Sequence, residues 1–168
     1  MDYKIGGGCC VRNKKRCAWL LCALWMGVIF LMSALPGEES GNQSEGIVEI
    51  ILSTAEAVLG EGIRSISPDR LEWFVRKGAH MVEYAVLLLL YRRALGLSGV
   101  KRPGLCAFVM CVLYAATDEY HQRFVPGRGP AAADVMIDAM GSAAAWALIW
   151  AKNRAAALCG KKRKASWR

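Results

Sequence analysis

The sequence predicts an all-α polytopic membrane protein with four transmembrane helices and one amphipathic extracytoplasmic helix. Three observations carry that prediction. First, 55% of the 168 residues are hydrophobic. They gather in blocks with the charges between them, as in small multi-pass membrane proteins. Second, Lys and Arg segregate. Residues 1–16 hold five, 92–102 four and 152–168 seven, which is 16 of the 22 in the chain. Of 14 acidic residues, only Asp2 falls in those segments. The positive-inside rule then places both termini and the 92–102 loop in the cytoplasm, and the chain in the cell membrane. Third, three of the four blocks reach spanning length only by taking polar residues into one end, and on this topology all three polar ends face outside.

The elements follow in order. Residues 1–16 are Gly-rich and then basic, and read as a disordered cytoplasmic tail. Residues 17–35 form a charge-free run of 19, long enough to span. A signal peptide cleaved near Ser33-Ala34 is the rival reading, but a signal core is usually about 7–15 residues, so the helix reads as retained. Pro36-Gly37 ends it. The acidic segment 38–72 contains Val48, Ile51, Ala55, Val58 and Leu59 at helical spacing between Ile47 and Leu59, an amphipathic helix against the membrane or the bundle. Its acidic face argues against attraction to anionic lipid.

The second span covers residues 74–91 and the third 104–124, each with charges in its outer turns. The fourth covers 131–151 and includes Asp134 and Asp138. Gly141 and Ala145 form a small-xxx-small pair that permits close helix contact. The membrane domain is therefore 17–151, flanked by basic cytoplasmic tails at 1–16 and 152–168. The seven cysteines avoid both outer loops, so they form no disulfide framework and read as reduced, small apolar residues. The net charge of +8 raises nucleic acid as a partner. The basic residues flank apolar blocks and form no nucleic-acid module, so no nucleic-acid partner is expected.

The polar ends converge. The second helix enters from outside with Lys77, His80, Glu83 and Tyr84. The third leaves with Asp118, Glu119, His121 and Gln122, and the loop after it carries Arg128. The fourth re-enters with Asp134 and Asp138. A charge at mid-membrane costs about 2.5–3.5 kcal/mol on insertion scales, so these groups should face one another. Interhelical polar contacts average only about 0.6 kcal/mol, a poor return if they are merely glue. Intramembrane ionisable residues mark functional sites by default.

His80, Glu83, Asp118 and Asp134 are the candidate proton-transfer residues. Lys77, Tyr84, His121, Gln122, Arg128 and Asp138 are the candidate binding residues. Glu119 points off the Asp118/His121/Gln122 face, and Arg123 reads as solvated. Three chemistries fit. Imidazole and carboxylate could ligate zinc or manganese, but no HExxH pattern occurs, and no metal or cofactor is assigned. A His–carboxylate pair could act as general base, although no GxSxG nucleophile motif is present. Lys77 and Arg128 could hold a phosphate or carboxylate.

The spacing Lys77-x-x-His80-x-x-Glu83-Tyr84, then Asp118-Glu119-x-His121-Gln122-x-Phe124-Val125-Pro126-Gly127-Arg128, then Asp134-x-x-x-Asp138-x-x-Gly141, resembles the VanZ-like family. Ser33 and Pro36-Gly37 are similar to that family's first-helix exit. Many members carry Asn where this chain has Asp138. The resemblance implies a small bacterial membrane protein of the cell envelope. The family's namesake is associated with teicoplanin resistance. It supplies motif positions without assigned roles. The expected function is an outward-facing polar site for a lipid-linked cell-wall precursor or a glycopeptide, in contact with membrane lipid. Whether it acts as an enzyme stays open. The alternative is a non-enzymatic scaffold or transport helper acting with a partner or as a homo-oligomer. A metal-dependent hydrolase is the third reading.

Overall fold

The computed structural model describes residues 7–59, 67–129 and 131–165. Among them the regular structure is entirely α-helical: α1 (Gly7–Ser33), α2 (Gly37–Leu59), α3 (Pro68–Leu97), α4 (Pro103–Gln122) and α5 (Ala132–Ala165).

Two helices start earlier than the sequence suggests. α1 runs back through the basic stretch to Gly7, where a disordered tail was expected. Lys and Arg are good helix formers, and no Pro interrupts the run before Pro36. α2 begins at Gly37 and not near Ile47. Its Gly- and Ser-rich start is held from outside the helix. The Gly37 amide donates to the Pro126 carbonyl at 3.1 Å. A Cβ on Gly37 would collide with the backbone of Gly127, which itself adopts φ +72°. The α1–α2 turn and the α4–α5 loop are thus locked backbone to backbone. Glu38 and Glu39 in the first turn complement the helix dipole. On α2, Val48 is buried, whereas Ile47, Ile50 and Ile51 are exposed. The side chains of Ala55, Val58 and Leu59 lie outside the described residues.

α3 is the central helix and packs against all four others. Pro68 at its first position suits the start, and Asp69 sits in the first turn. It continues through Arg92 and Arg93, and ends where Ser98 N–H donates to Ala94 and Val100 N–H to Leu95, with Gly99 at φ +79°. Helix directions follow from side-chain partners. Lys77 meets Asp134, and Ser142 donates to the Tyr84 carbonyl, so α5 runs parallel to α3. Trp19 reaches Ser98 while Trp25 reaches the Glu83 carbonyl, so α1 is antiparallel.

The core is built on Tyr84, Leu87, Leu88, Tyr91 and Ala94 of α3, all nearly inaccessible. Ala107, Cys111 and Ala115 recur every fourth residue on α4 and are fully buried, which lets its backbone approach the core closely. The expected small-residue contact is present. A Cβ on Gly141 would strike the Met81 backbone, so α3 and α5 touch there.

The outer surface is strongly apolar. Leu20, Leu24 and Leu31 of α1, Phe74, Val82 and Leu89 of α3, Leu105, Val109 and Leu113 of α4, and Met136, Met140 and Leu148 of α5 are all exposed. Two stretches, Arg12–Ser33 and Ala132–Leu158, are long and apolar enough to cross a membrane. The sequence expects four spans, but α3 and α4 do not meet that measure, because α3 carries Arg76, Lys77 and Glu83 ahead of its apolar run and Arg92 and Arg93 after it, and α4 carries Asp118 and Glu119 near its end.

Candidate functional site

The polar residues picked out in the sequence gather at one end of the bundle, where α1 and α4 finish and α3 and α5 begin. Their geometry divides them into groups that are already partnered and groups that are not.

The partnered groups tie helices together. Lys77 Nζ donates to Asp134 Oδ1 at 2.5 Å, joining α3 to α5. Ser33 Oγ donates to Asp118 Oδ1 at 2.6 Å, joining α1 to α4, and Gln122 adds a long bond of 3.4 Å to Oδ2. Glu119 is buried and not turned away as the sequence suggested. Its Oε1 accepts the Ala131 N–H at 2.5 Å, because the loop after α4 folds back over that face. Arg128 reaches the end of α1, where Nε donates to Leu35 O at 3.2 Å and Nη2 to Met32 O at 3.3 Å. It satisfies carbonyls that the helix end leaves open. Burial lowers the Arg128 pKa from its usual value, and Arg76 adds to this, while Asp118, Glu119 and Glu83 oppose it. Arginine stays charged through such a shift.

The unpartnered groups centre on His80. Its Nδ1 lies 3.7 Å from Glu83 Oε2 and 3.8 Å from Asp138 Oδ1, beyond hydrogen-bond length. His80 Nδ1 and Asp138 Oδ1 are both buried and lack a hydrogen-bond partner. Most buried polar atoms in folded proteins find one, so these two, like the Tyr84 hydroxyl and His121 Nε2, are exceptions. Of the carboxylates paired with His80 in the sequence reading, Glu83 lies beside it. Asp118 and Asp134 are engaged elsewhere, and Asp138 takes their place. Two further candidates line neither of the cavities described below. Tyr84 is fully buried in the core with its hydroxyl unpartnered, and His121 stacks on Phe30 at 4.4 Å.

Two cavities meet at His80. One, of about 320 Å³, is lined by Asp69, Glu72, Trp73, Arg76, Lys77, His80, Glu119, Gln122, Arg128 and Asp134, together with Gly127 and Gly129. The other, of about 120 Å³, lies beneath α2 and is lined by Ser40, Ser44, Glu83 and several apolar residues. Arg76, His80 and Arg128 border both. Sequence reasoning missed Arg76, since neighbouring helical residues point about 100° apart and spacing alone favoured Lys77. A third, apolar groove of about 500 Å³ runs between α3 and α5, from Met81 and Gly141 past Ala85 and Ala145 to Leu148 and Lys152. Among the described residues, no group of three His, Cys, Asp or Glu side chains is placed to hold a metal ion.

The VanZ/LLP1 family model matches residues 18–153, and the chain belongs to that family. No curated protein and no solved structure matches it.

Proposed function

We propose that this VanZ/LLP1 family member is a four-span protein of the bacterial cell membrane, and that it binds a lipid-linked or glycopeptide-type envelope molecule in an outward-facing polar cavity. The four-span reading rests on the exposed faces of α3 and α4. Phe74, Val82 and Leu89 lie along one, and Leu105, Val109 and Leu113 along the other. Residues 74–91 of α3 cover about 27 Å at helical rise, close to the ~30 Å hydrocarbon core. Apolar surface of that extent is unusual on a soluble monomer. Arg92, Arg93, Lys101, Arg102 and Lys152 gather at the end opposite the cavity, which the positive-inside rule assigns to the cytoplasm.

The observation that carries the binding reading is the pair of buried, unpartnered atoms, His80 Nδ1 and Asp138 Oδ1, beside cavities lined by charged side chains. A ligand hydroxyl or amide entering there would supply the missing hydrogen bonds. His80, with Glu83 and Asp138 alongside, is the group placed to move a proton if the site performs chemistry. The apolar groove supports a ligand with a hydrocarbon chain. Lys77 and Met81 lie four residues apart on one face of α3, and Asp134 and Gly141 share a face of α5, so the groove begins below the ion pair that walls the cavity. The family resemblance supplies the glycopeptide part of the reading.

The test is teicoplanin and vancomycin susceptibility of a sensitive Gram-positive host. It would express the wild-type chain or the His80→Ala, Glu83→Gln and Asp138→Asn variants at equal membrane levels. Protection by the wild type that the variants lose is the expected result. Protection by none would remove the glycopeptide part of the reading.

A second reading, a non-enzymatic scaffold or transport helper, is favoured by one observation. Most of the charges are spent joining helices: Lys77 to Asp134, Ser33 to Asp118, Glu119 to the α5 entry and Arg128 to α1. Equal protection by wild type and all three variants would favour it.

A further inference from the structure

The cavity reading leaves open what part of the ligand is recognised. Charge placement narrows it. Lys77 is neutralised by Asp134, and Glu119 is committed to the Ala131 amide. Two guanidinium groups remain, Arg76 from α3 and Arg128 from the loop after α4. They border both cavities and flank His80. Arg76 has one ionic partner among the described residues, Glu72 at 3.7 Å one turn back on the same helix, a long i,i+4 contact of the kind worth little. No carboxylate among the described residues lies within ion-pair distance of Arg128. Of its five N–H donors, Arg128 uses two on the Leu35 and Met32 carbonyls, which leaves three unspent and fixes the plane of the group. Carboxylates share these cavities, Asp69, Glu72, Glu119 and Asp134 in one and Glu83 in the other, but only Glu72 comes within ion-pair distance of Arg76 and none among the described residues does of Arg128, so both guanidinium groups keep donors that an anion with several oxygens would fill.

Resting on the cavity reading, we infer that Arg76 and Arg128 form a two-sided clamp for a phosphate or diphosphate group carried by the ligand. Two planar forks from different elements suit an anion that presents several oxygens in different directions, which phosphate does and a single planar carboxylate does not. His80 then lies beside the clamped group, and Lys77 belongs to the cavity wall and not to the anion site. This revises the pairing of Lys77 with Arg128 that the sequence favours. It assigns the second cation to Arg76.

The test uses the full chain, purified in a phosphate-free neutral detergent, and calorimetric titration. The probes are farnesyl diphosphate, inorganic diphosphate and farnesol. Farnesyl diphosphate should bind saturably, and Arg76→Gln should weaken it about tenfold or more, the scale of a lost charge-assisted pair. Arg76→Lys should recover part of that loss. Because Arg128 also caps α1, its test is Arg128→Lys, which keeps the charge but not the fork and should weaken binding severalfold. Arg123→Gln, an exposed arginine on the neighbouring turn, should leave affinity unchanged. Farnesol should not compete. Inorganic diphosphate binding that responds to the same substitutions would support a clamp that also takes the free anion. Binding of farnesyl diphosphate alone would support one that needs the lipid headgroup.

Affinity within twofold of wild type in a folded Arg76→Gln protein would overturn the clamp, as would an equal loss in Arg123→Gln. If farnesyl diphosphate fails to bind while the His80 and Asp138 variants still lose glycopeptide protection, the clamp falls and the cavity reading stands. If both experiments fail, both ideas fall.

Discussion

The Lys77–Asp134 pair offers a quantitative test of how the site is held together. It pins α3 to α5. Its oxygen–nitrogen distance is 2.5 Å, and the two side chains are 21% and 27% exposed. At an effective dielectric of ~20, the gross attraction at that distance is about 6–7 kcal/mol. Desolvation removes several kcal/mol per ion, so the intact pair contributes little net stability. Removing one partner is costlier, because it strands a charge. That cost is about 3–5 kcal/mol when burial is complete. With about a quarter of each side chain exposed, we expect about 2–3 kcal/mol for Lys77→Met or Asp134→Asn alone. The double variant should cost about 1 kcal/mol or less, giving a coupling energy of at least about 2 kcal/mol. Reversible unfolding of the four proteins in mixed micelles measures the cycle. A coupling below about 0.5 kcal/mol would refute the reasoning, since the two residues would then not act as a pair.

Three other outcomes follow. Gly141→Leu should push α3 and α5 apart, because its first carbon already meets the Met81 backbone, which cannot rotate away. The expected cost is at least the ~1–3 kcal/mol of ordinary overpacking, read as lost folded protein in membranes, whereas Gly27→Leu, which meets nothing nearby, should be tolerated. Ser33→Ala removes the short bond to buried Asp118 and should cost about 1.5–3 kcal/mol, with Ser33→Thr milder, by thermal unfolding in detergent. Tyr114→Phe deletes the 2.6 Å bond from its hydroxyl to the Met26 carbonyl and should cost about 1 kcal/mol in the same assay.

Much of this arrangement was legible before any coordinates. The stripe Lys77, His80, Glu83 and the end-of-helix set Asp118 and Gln122 announced themselves because charges interrupt aliphatic runs at helical spacing. Lys/Arg bias then aligned the polar ends on one side. The close contact at Gly141 was also readable, since a small residue on an apolar helix has few other uses.

Pairings were not legible. Which carboxylate meets which base depends on the rotation and offset of α5 against α3. That offset brings Asp134 to Lys77 and Asp138 to His80, and leaves Asp118 to Ser33. The same rotation brings Arg76 to the cavity wall alongside Lys77. Glu119 reads as set off the Asp118/His121/Gln122 face because helical projection ignores the returning loop, which supplies its partner at Ala131. The early start of α2 was hidden because Gly37, Gly41 and Gly46 read as loop, and the contact that fixes its first turn comes from Gly127, 90 residues away.

The central claim is that the His80 cavity faces outward and that function passes through it. The most direct measurement places a cysteine at Gly129, on the cavity wall where an added side chain meets nothing within 4 Å. Intact cells expressing Gly129→Cys are treated with a bulky, charged, membrane-impermeant maleimide and then scored for labelling and for glycopeptide protection. Labelling from outside, with loss of protection on labelling, is the expected result. Labelling only after the membrane is opened, or full labelling with protection unchanged, would contradict it.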